Sequence, residues 1–516
     1  DEKVKLTGNA AATLGTQKIE GAVSGKTITF AYKGLNYATA YTFTLAAGSV
    51  ADLTDNATDQ AIVLNFTTKT KPAVTKALYD FIVPTDGDFK AALAAAAKRT
   101  DTSKRFRIFI KQGDYKIPAD EKSKVTGSDG KSYANPTTYM NTPNVSIIGE
   151  GMDNTSLTNT VPNSGQSANV LEGIGKGDVL CLQKGATNTY FQDLKMYSSM
   201  GDAKGRDIVL NDQSNKTICK NVNLWAYQDT YVSNNQNGKF YFEDGILRGR
   251  TDYLCGKGDV YYNNVELWIC EKGGYLAVPS QPKKYGYIFK DCTIKDATAA
   301  KDLNGNYTLG RPWGKGTPIA LYIDTKMEAI PSAAGWNEMS GGYPKRFAEY
   351  NSYTSTGSVV DLKDRKKVYD AYDSKDGDNY VNRRNETAGD PILTAEEAAT
   401  YTIETVMGQD DDWDPTAATE QASAPSNVKL NGTTLAWDNN DYALLWAVCK
   451  NGKVVDFTVE PTYNVDDASA TWSVRAANEM GGLGEATEAT TSTGIENITT
   501  SADVLSTKIY SADGVQ

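Results

Sequence analysis

Asp229 and Asp252 are the residues of this chain best placed to do chemistry, because each lies eight residues after a member of a recurring pattern, Asn221 and Asp244 respectively. The two aspartates therefore hold one position on neighbouring units of a repeat. If those units stack as parallel strands about 4.8 Å apart, their carboxyl groups face each other near contact. Double ionisation is then disfavoured, so one pKa rises while the other group stays ionised. Such a pair divides its labour into a protonated acid and an anionic nucleophile or base. Taken singly, each Asp reads as a solvated turn residue. The shared position argues otherwise, since an Asn at either place would relieve the repulsion.

Few other residue types can compete for the role. The 516 residues include no histidine, which excludes Ser-His-Asp and Cys-His catalysis, histidine zinc sites and a histidine base. A net charge of −11 disfavours a nucleic-acid partner, which needs a basic face. No apolar run approaches the ~20 residues of a membrane span. The chain opens at Asp1 with no charged or apolar leader, as expected of a mature sequence from which a signal peptide has been removed. Cys181, Cys219, Cys255, Cys270, Cys292 and Cys449 have no metal-ligand spacing and read mainly as buried free thiols. Gly173 to Gly177 (GIGKG) lacks the context of a phosphate loop and reads as a turn. Asp410, Asp411, Asp412 and Asp414 lack regular oxygen-ligand spacing, so a solvated acidic loop is expected there and no metal or cofactor site.

The elements that must position the aspartates come from the repeat itself. An apolar or aromatic residue, any residue, Asp or Asn, two further residues and an aliphatic one recur at Phe191–Met196, Cys219–Leu224, Phe242–Leu247, Tyr262–Leu267 and Phe289–Ile294. The Asp/Asn positions are 28, 23, 20 and 27 residues apart, without room for long helices. That pattern fits a parallel β-helix in which each coil stacks on the last and like residues form ladders; the consensus of a leucine-rich repeat is absent. Asp86 to Arg99 (DGDFKAALAAAAKR) reads as one amphipathic helix with a capping Asp, closing the first coil.

Flanking the repeat, residues 1–72 alternate in short runs broken by Gly, Asn and Asp and predict an Ig-like antiparallel β-module. Residues 426–489 predict a second β-sandwich with Trp437, Trp446 and Trp472 in its core, and this segment resembles a fibronectin type III domain. Thr68 to Thr75 and Thr416 to Pro425 have linker composition, and the tail 490–516 has too little apolar surface to fold alone. The fold class expected is all-β, a parallel β-helix over 76–415 with β-sandwich modules at both ends.

The ordered segments Gln112–Tyr115 (QGDY), Tyr227–Thr230 (YQDT), Asp252–Gly256 (DYLCG) and Leu309–Trp313 (LGRPW) resemble the signature motifs of the pectin methylesterases, carbohydrate esterase family 8. The resemblance spans residues 76–415 and implies a right-handed parallel β-helix. It implies Asp252 as the nucleophile on a C6 methyl-ester carbonyl and Asp229 as the acid that protonates departing methanol and then activates water. By the same resemblance Gln228 is an oxyanion donor, Arg311 holds Asp252 by charge-assisted hydrogen bonds, and Trp313 offers its face to a sugar ring. The chain departs from the family where Arg206 stands in place of a second glutamine, so that Arg206 becomes a candidate substrate contact; the stretch reads Arg206-Asp-Ile-Val-Leu210. Tyr253 replaces the usual Phe and would bring a hydroxyl beside the nucleophile, Cys255 reads as buried filling, and the first motif ends in Ile117 in place of Glu. The implied partner is pectin homogalacturonan, handled by a monomer that is secreted, periplasmic or on the surface of a bacterium, with no cofactor. A non-catalytic carbohydrate-binding β-helix and a calcium-dependent, pectate lyase-like enzyme remain open alternatives.

Overall fold

The computed structural model describes all residues except 1–2, 8–11, 25, 33–34, 163–168, 203–204, 298–301, 440–442 and 492–516. Three parallel sheets of ten, nine and seven strands run along the central part of the chain. Successive coils contribute one strand to each, as in Thr217–Lys220, Asn223–Trp225 and Tyr231–Ser233, so the architecture is a parallel β-helix.

The repeat explains the shape of each coil. Its first residue points inward and stacks on its counterparts, Phe191 on Cys219, Phe242, Tyr262 and Phe289 in turn. The Tyr262 and Phe289 rings lie 4.6 Å apart and nearly parallel. The last residue forms an aliphatic ladder from Met196 through Leu224, Leu247 and Leu267 to Ile294. Between them the chain must turn a corner. Asp193, Asn221, Asp244, Asn264 and Asp291 all adopt left-handed backbone with φ between 48° and 58°, a conformation that Asp and Asn tolerate better than other non-glycine residues. Asp324 and Asn351 continue the corner beyond the repeat found in the sequence.

The expected helix covers Phe89–Lys98, capped by Asp88, whose side chain accepts from the Ala91 amide. Phe89, Ala92, Leu93 and Ala96 close the first coil's core. At the other end Glu349 and Arg365 form a fully buried ion pair.

The two flanking modules are packed very differently. The C-terminal one is a pair of four-stranded sheets enclosing Trp437, Trp446 and Trp472. It docks on the outer face of the ten-stranded sheet, where Phe457 meets Tyr79 and Phe109 and where Arg107 donates to the Glu479 carbonyl. Approach is so close that a Cβ at Gly482 would fall 1.8 Å from the Gln192 side chain. The N-terminal module is open: a cleft of about 490 Å³ is lined by Leu14, Phe30, Phe43 and Phe66, and every residue of the strand Ile62–Thr67 is exposed.

One expectation from composition gives way here. Thr416 to Pro425 is not a free linker, since Thr416–Thr419 forms a helical turn and Ala418, Thr419 and Ala422 are buried. The acidic run is exposed, as a solvated loop should be, and is tethered to the β-helix where Asp411 pairs with Lys216 and Lys239 and Asp410 with Lys283. Burial works against the Asp411 charge, but the two lysines hold its pKa down at about 2. Of the tail, only Thr490 and Thr491 are described, as a short strand beside Lys429–Asn431; the remainder lies outside the described residues. The six cysteines are all buried and none forms a disulfide.

Candidate active site

A second corner, between the nine- and seven-stranded sheets, carries the chemistry-bearing residues. Parallel bridges join Arg206 to Gln228 and Gln228 to Thr251, which fixes three coils in register. Asp229 and Asp252 are the next residues of their coils, so the register expected from the eight-residue spacing is the one observed. Both adopt left-handed backbone, with φ of 58° and 51°. Both are buried, at 5% and 6% exposure.

Their surroundings differ. Arg311 reaches back to Asp252 from two coils away and grips it with both arms, Nε to Oδ1 at 2.9 Å and Nη2 to Oδ2 at 2.5 Å. This is a bidentate, charge-assisted fork. The guanidinium lies over the Tyr275 ring, 3.9 Å from its centroid. Asp229 has a looser partner: Arg206 Nε is 2.7 Å from Oδ2, but without hydrogen-bond alignment, and the Arg206 side chain is 43% exposed. Burial dominates and pushes the Asp229 pKa up to about 7; Arg206 opposes the rise, while the neighbouring Asp252 charge adds to it. The two acids thus sit in unequal settings, Asp252 in a guanidinium clamp and Asp229 with its pKa raised by burial.

Other residues complete the surroundings. Gln228 is half-buried and lies between the Arg206 and Thr251 coils. Trp313 is 39% exposed, which leaves a ring surface available to a ligand. Ile208, Val232, Cys255 and Val278 form an apolar strip on the seven-stranded sheet, bordered by Ile174, Tyr275 and Met339. The Cys255 thiol donates to Asp229, and burial pushes its pKa well up, so it is a neutral donor and not a thiolate. Tyr227 donates its hydroxyl to Glu271 at 2.8 Å.

Tyr253 requires correction. It is wholly buried among the core side chains and cannot touch a substrate. The left-handed Asp252 interrupts strand alternation, and the ladder to the next coil shifts register between Thr251 and Leu254. That irregularity turns Tyr253 inward, whereas regular alternation would not place it and Leu254 together in the core. Conversely, the motifs gave no sign of Tyr275, which stacks beneath Arg311. Its only signal is positional: it lies one coil after Thr251.

Similarity to known proteins follows the same part of the chain. The family model described as Pectinesterase matches residues 80–386, and a bacterial Ig-like domain model matches residues 2–68. Pectinesterase 1 of Solanum lycopersicum is 23% identical over 291 residues, covering 54% of this chain and 48% of that protein. Pectinesterase/pectinesterase inhibitor 18 of Arabidopsis thaliana is 22% identical over 314 residues, covering 58% and 51%. The chain thus spans about half the length of the curated relatives it matches. Among solved structures, pectin methylesterase PemA from Erwinia chrysanthemi has a TM-score of 0.46 at 20% identity, covering 66% of this chain and 99% of that one. With more than half of its residues matched by the family model, this chain belongs to the pectinesterase family.

Proposed function

We propose that the protein hydrolyses C6 methyl esters of galacturonosyl units in pectin and releases methanol, with Asp252 as nucleophile and Asp229 as acid and then base. The observation that carries this reading is the unequal setting of two stacked carboxyl groups, one clamped by Arg311 and the other raised to a pKa of about 7. An Asp252 oxygen attacks the ester carbonyl carbon, and the resulting oxyanion is met by the Gln228 amide. Collapse breaks the bond to methoxy oxygen, which takes the Asp229 proton and leaves as methanol. The acyl group is then a mixed anhydride on Asp252. Asp229, now ionised, removes a proton from water as it attacks the anhydride, which frees the galacturonate and restores both acids. Trp313 would support a sugar ring. No step needs a cofactor. The proposal includes a monomer acting outside the cytoplasm; no helix among the described residues is long and apolar enough to cross a membrane.

One observation favours the non-catalytic alternative. Arg206 beside Asp229 favours the ionised form of the residue that must arrive protonated. A single assay decides: highly methylated pectin is incubated with the protein plus a chelator and methanol is measured, then again with Asp252→Asn. Methanol from the parent and none from the variant is expected. Its absence from the parent would leave a binding protein, unsaturated products abolished by chelator would indicate a calcium lyase, and undiminished methanol from the variant would remove Asp252 as nucleophile.

A further inference from the structure

The register that stacks Asp229 on Asp252 continues one coil down. Arg206 bridges Gln228, so Asp207 is the rung beneath Asp229, and its amide donates to the Gln228 carbonyl at 3.3 Å. Three aspartates on consecutive coils thus form one ladder. Asp207 is the most buried of them, at 1% exposure. Neither of its carboxyl oxygens has a well-aligned hydrogen bond, although the Ser198 hydroxyl and the backbone amides of Tyr227 and Gln228 are near enough to favour its charge slightly. Arg206, next to it in the chain, pairs with Asp229 instead. Among the described residues no cation pairs with Asp207.

We propose that Asp207 is a positioning residue for the reaction, a neutral third rung that holds the Tyr227–Asp229 turn from below. The proposal rests on the esterase reading of Asp229. A carboxyl group buried without a counter-ion is far cheaper to keep protonated than ionised. Burial indeed pushes the Asp207 pKa up to about 8, with the Asp229 charge adding to the rise. The charged groups on the coils above Asp207 are Asp229 with its partner Arg206, and Asp252 with Arg311 one coil further; on the coil below, where the Val179 amide donates to the Ile208 carbonyl, lies the buried Asp178, which accepts from the Asn211 amide and whose pKa burial raises to about 7.

Neutrality matters because Asp229 must lose its proton during each turnover. An ionised Asp207 directly beneath would oppose that loss and slow the water step. Asp207 should therefore add a second proton to the alkaline decline in kcat, beyond the one contributed by Asp229. Its contacts with the turn should also matter, since small misplacement of a reacting group costs up to about 100-fold.

The test compares Asp207→Asn with Asp207→Ala in full-length protein on methylated pectin. Asp207→Ala should lower kcat at pH 6 by about tenfold or more with KM within about twofold, and Asp207→Asn should recover most of that loss. The alkaline limb should fall with two protons in the parent and one in Asp207→Asn. In parallel, infrared difference spectra of the protonated-carboxyl band between pH 6 and 9 should lose one band in Asp207→Asn, a readout independent of turnover. An alkaline limb that keeps both protons in Asp207→Asn, an unchanged infrared difference, or Asp207→Ala with parental kcat would each overturn the proposal. Failure of the parent to release methanol would instead sink the esterase reading, leaving the infrared result to judge the protonation of Asp207.

Discussion

The β-helix turns two corners with the same backbone device and fills them with opposite chemistry. At the first corner, left-handed acids alternate with amides: Asn221 donates to Asp193 at 2.6 Å, Asn264 to Asp244 at 2.8 Å and Asn351 to Asp324 at 2.7 Å. Where two acids do meet there, at Asp291 and Asp324, Lys290 bridges them. At the second corner Asp207, Asp229 and Asp252 stack with no amide among them; Arg206, from the corner itself, meets Asp229, and Arg311 reaches Asp252 from two coils away. An alternating ladder satisfies every rung and has no group left to react. An all-acid ladder costs stability and leaves two carboxyl groups in unequal settings, one clamped by Arg311 and the other raised in pKa by burial.

That contrast can be broken most severely at Asp252. Asp252→Asn makes the second corner resemble the first, and methanol release should fall by on the order of 10⁴-fold or more while circular dichroism is unchanged. Asp229→Asn should cost about 10²- to 10⁴-fold, the usual worth of acid–base assistance. It should also be the more stable protein at pH 8. The Asp229 pKa is raised to about 7 on folding, so the native state holds the proton that the unfolded chain has lost, and stability drains away as pH rises from about 4 to 7. Thermal melts of parent and variant should therefore diverge over that window and not below it; parallel melts at pH 5, 6 and 7 would contradict the raised pKa. Arg311→Ala leaves Asp252 buried without its clamp and should lose about 2–5 kcal/mol of transition-state stabilisation, and Arg311→Lys should not restore it because a point charge cannot form the fork. The smallest effect is expected at the first corner. Asn221→Asp removes the amide that serves Asp193 and should cost about 1–3 kcal/mol in denaturant melts, with methanol release retained.

Much of this was legible in the sequence because a coil's corner needs a left-handed residue, and Asp and Asn recur where it falls. The eight-residue offset from that corner then placed Asp229 and Asp252 on one rung position. Tyr253 was misjudged because the offset says nothing of the bulge at Asp252, which reverses the side a residue faces. Composition misread 416–425 for a related reason: small polar residues look like a linker until Ala418, Thr419 and Ala422 are seen to be buried. Asp207 sat beside the recognised Arg206 but carried no pattern of its own.

The sequence by itself determined the coil, the corner and the pair of acids, because ladder-forming repeats are local and their spacing translates directly into register. Only the tertiary structure decided how unequal the two settings are, with Arg311 clamping Asp252 and burial raising the Asp229 pKa. Those settings depend on how deeply each carboxyl is buried and on which guanidinium reaches it, and neither is written in the spacing of neighbouring residues.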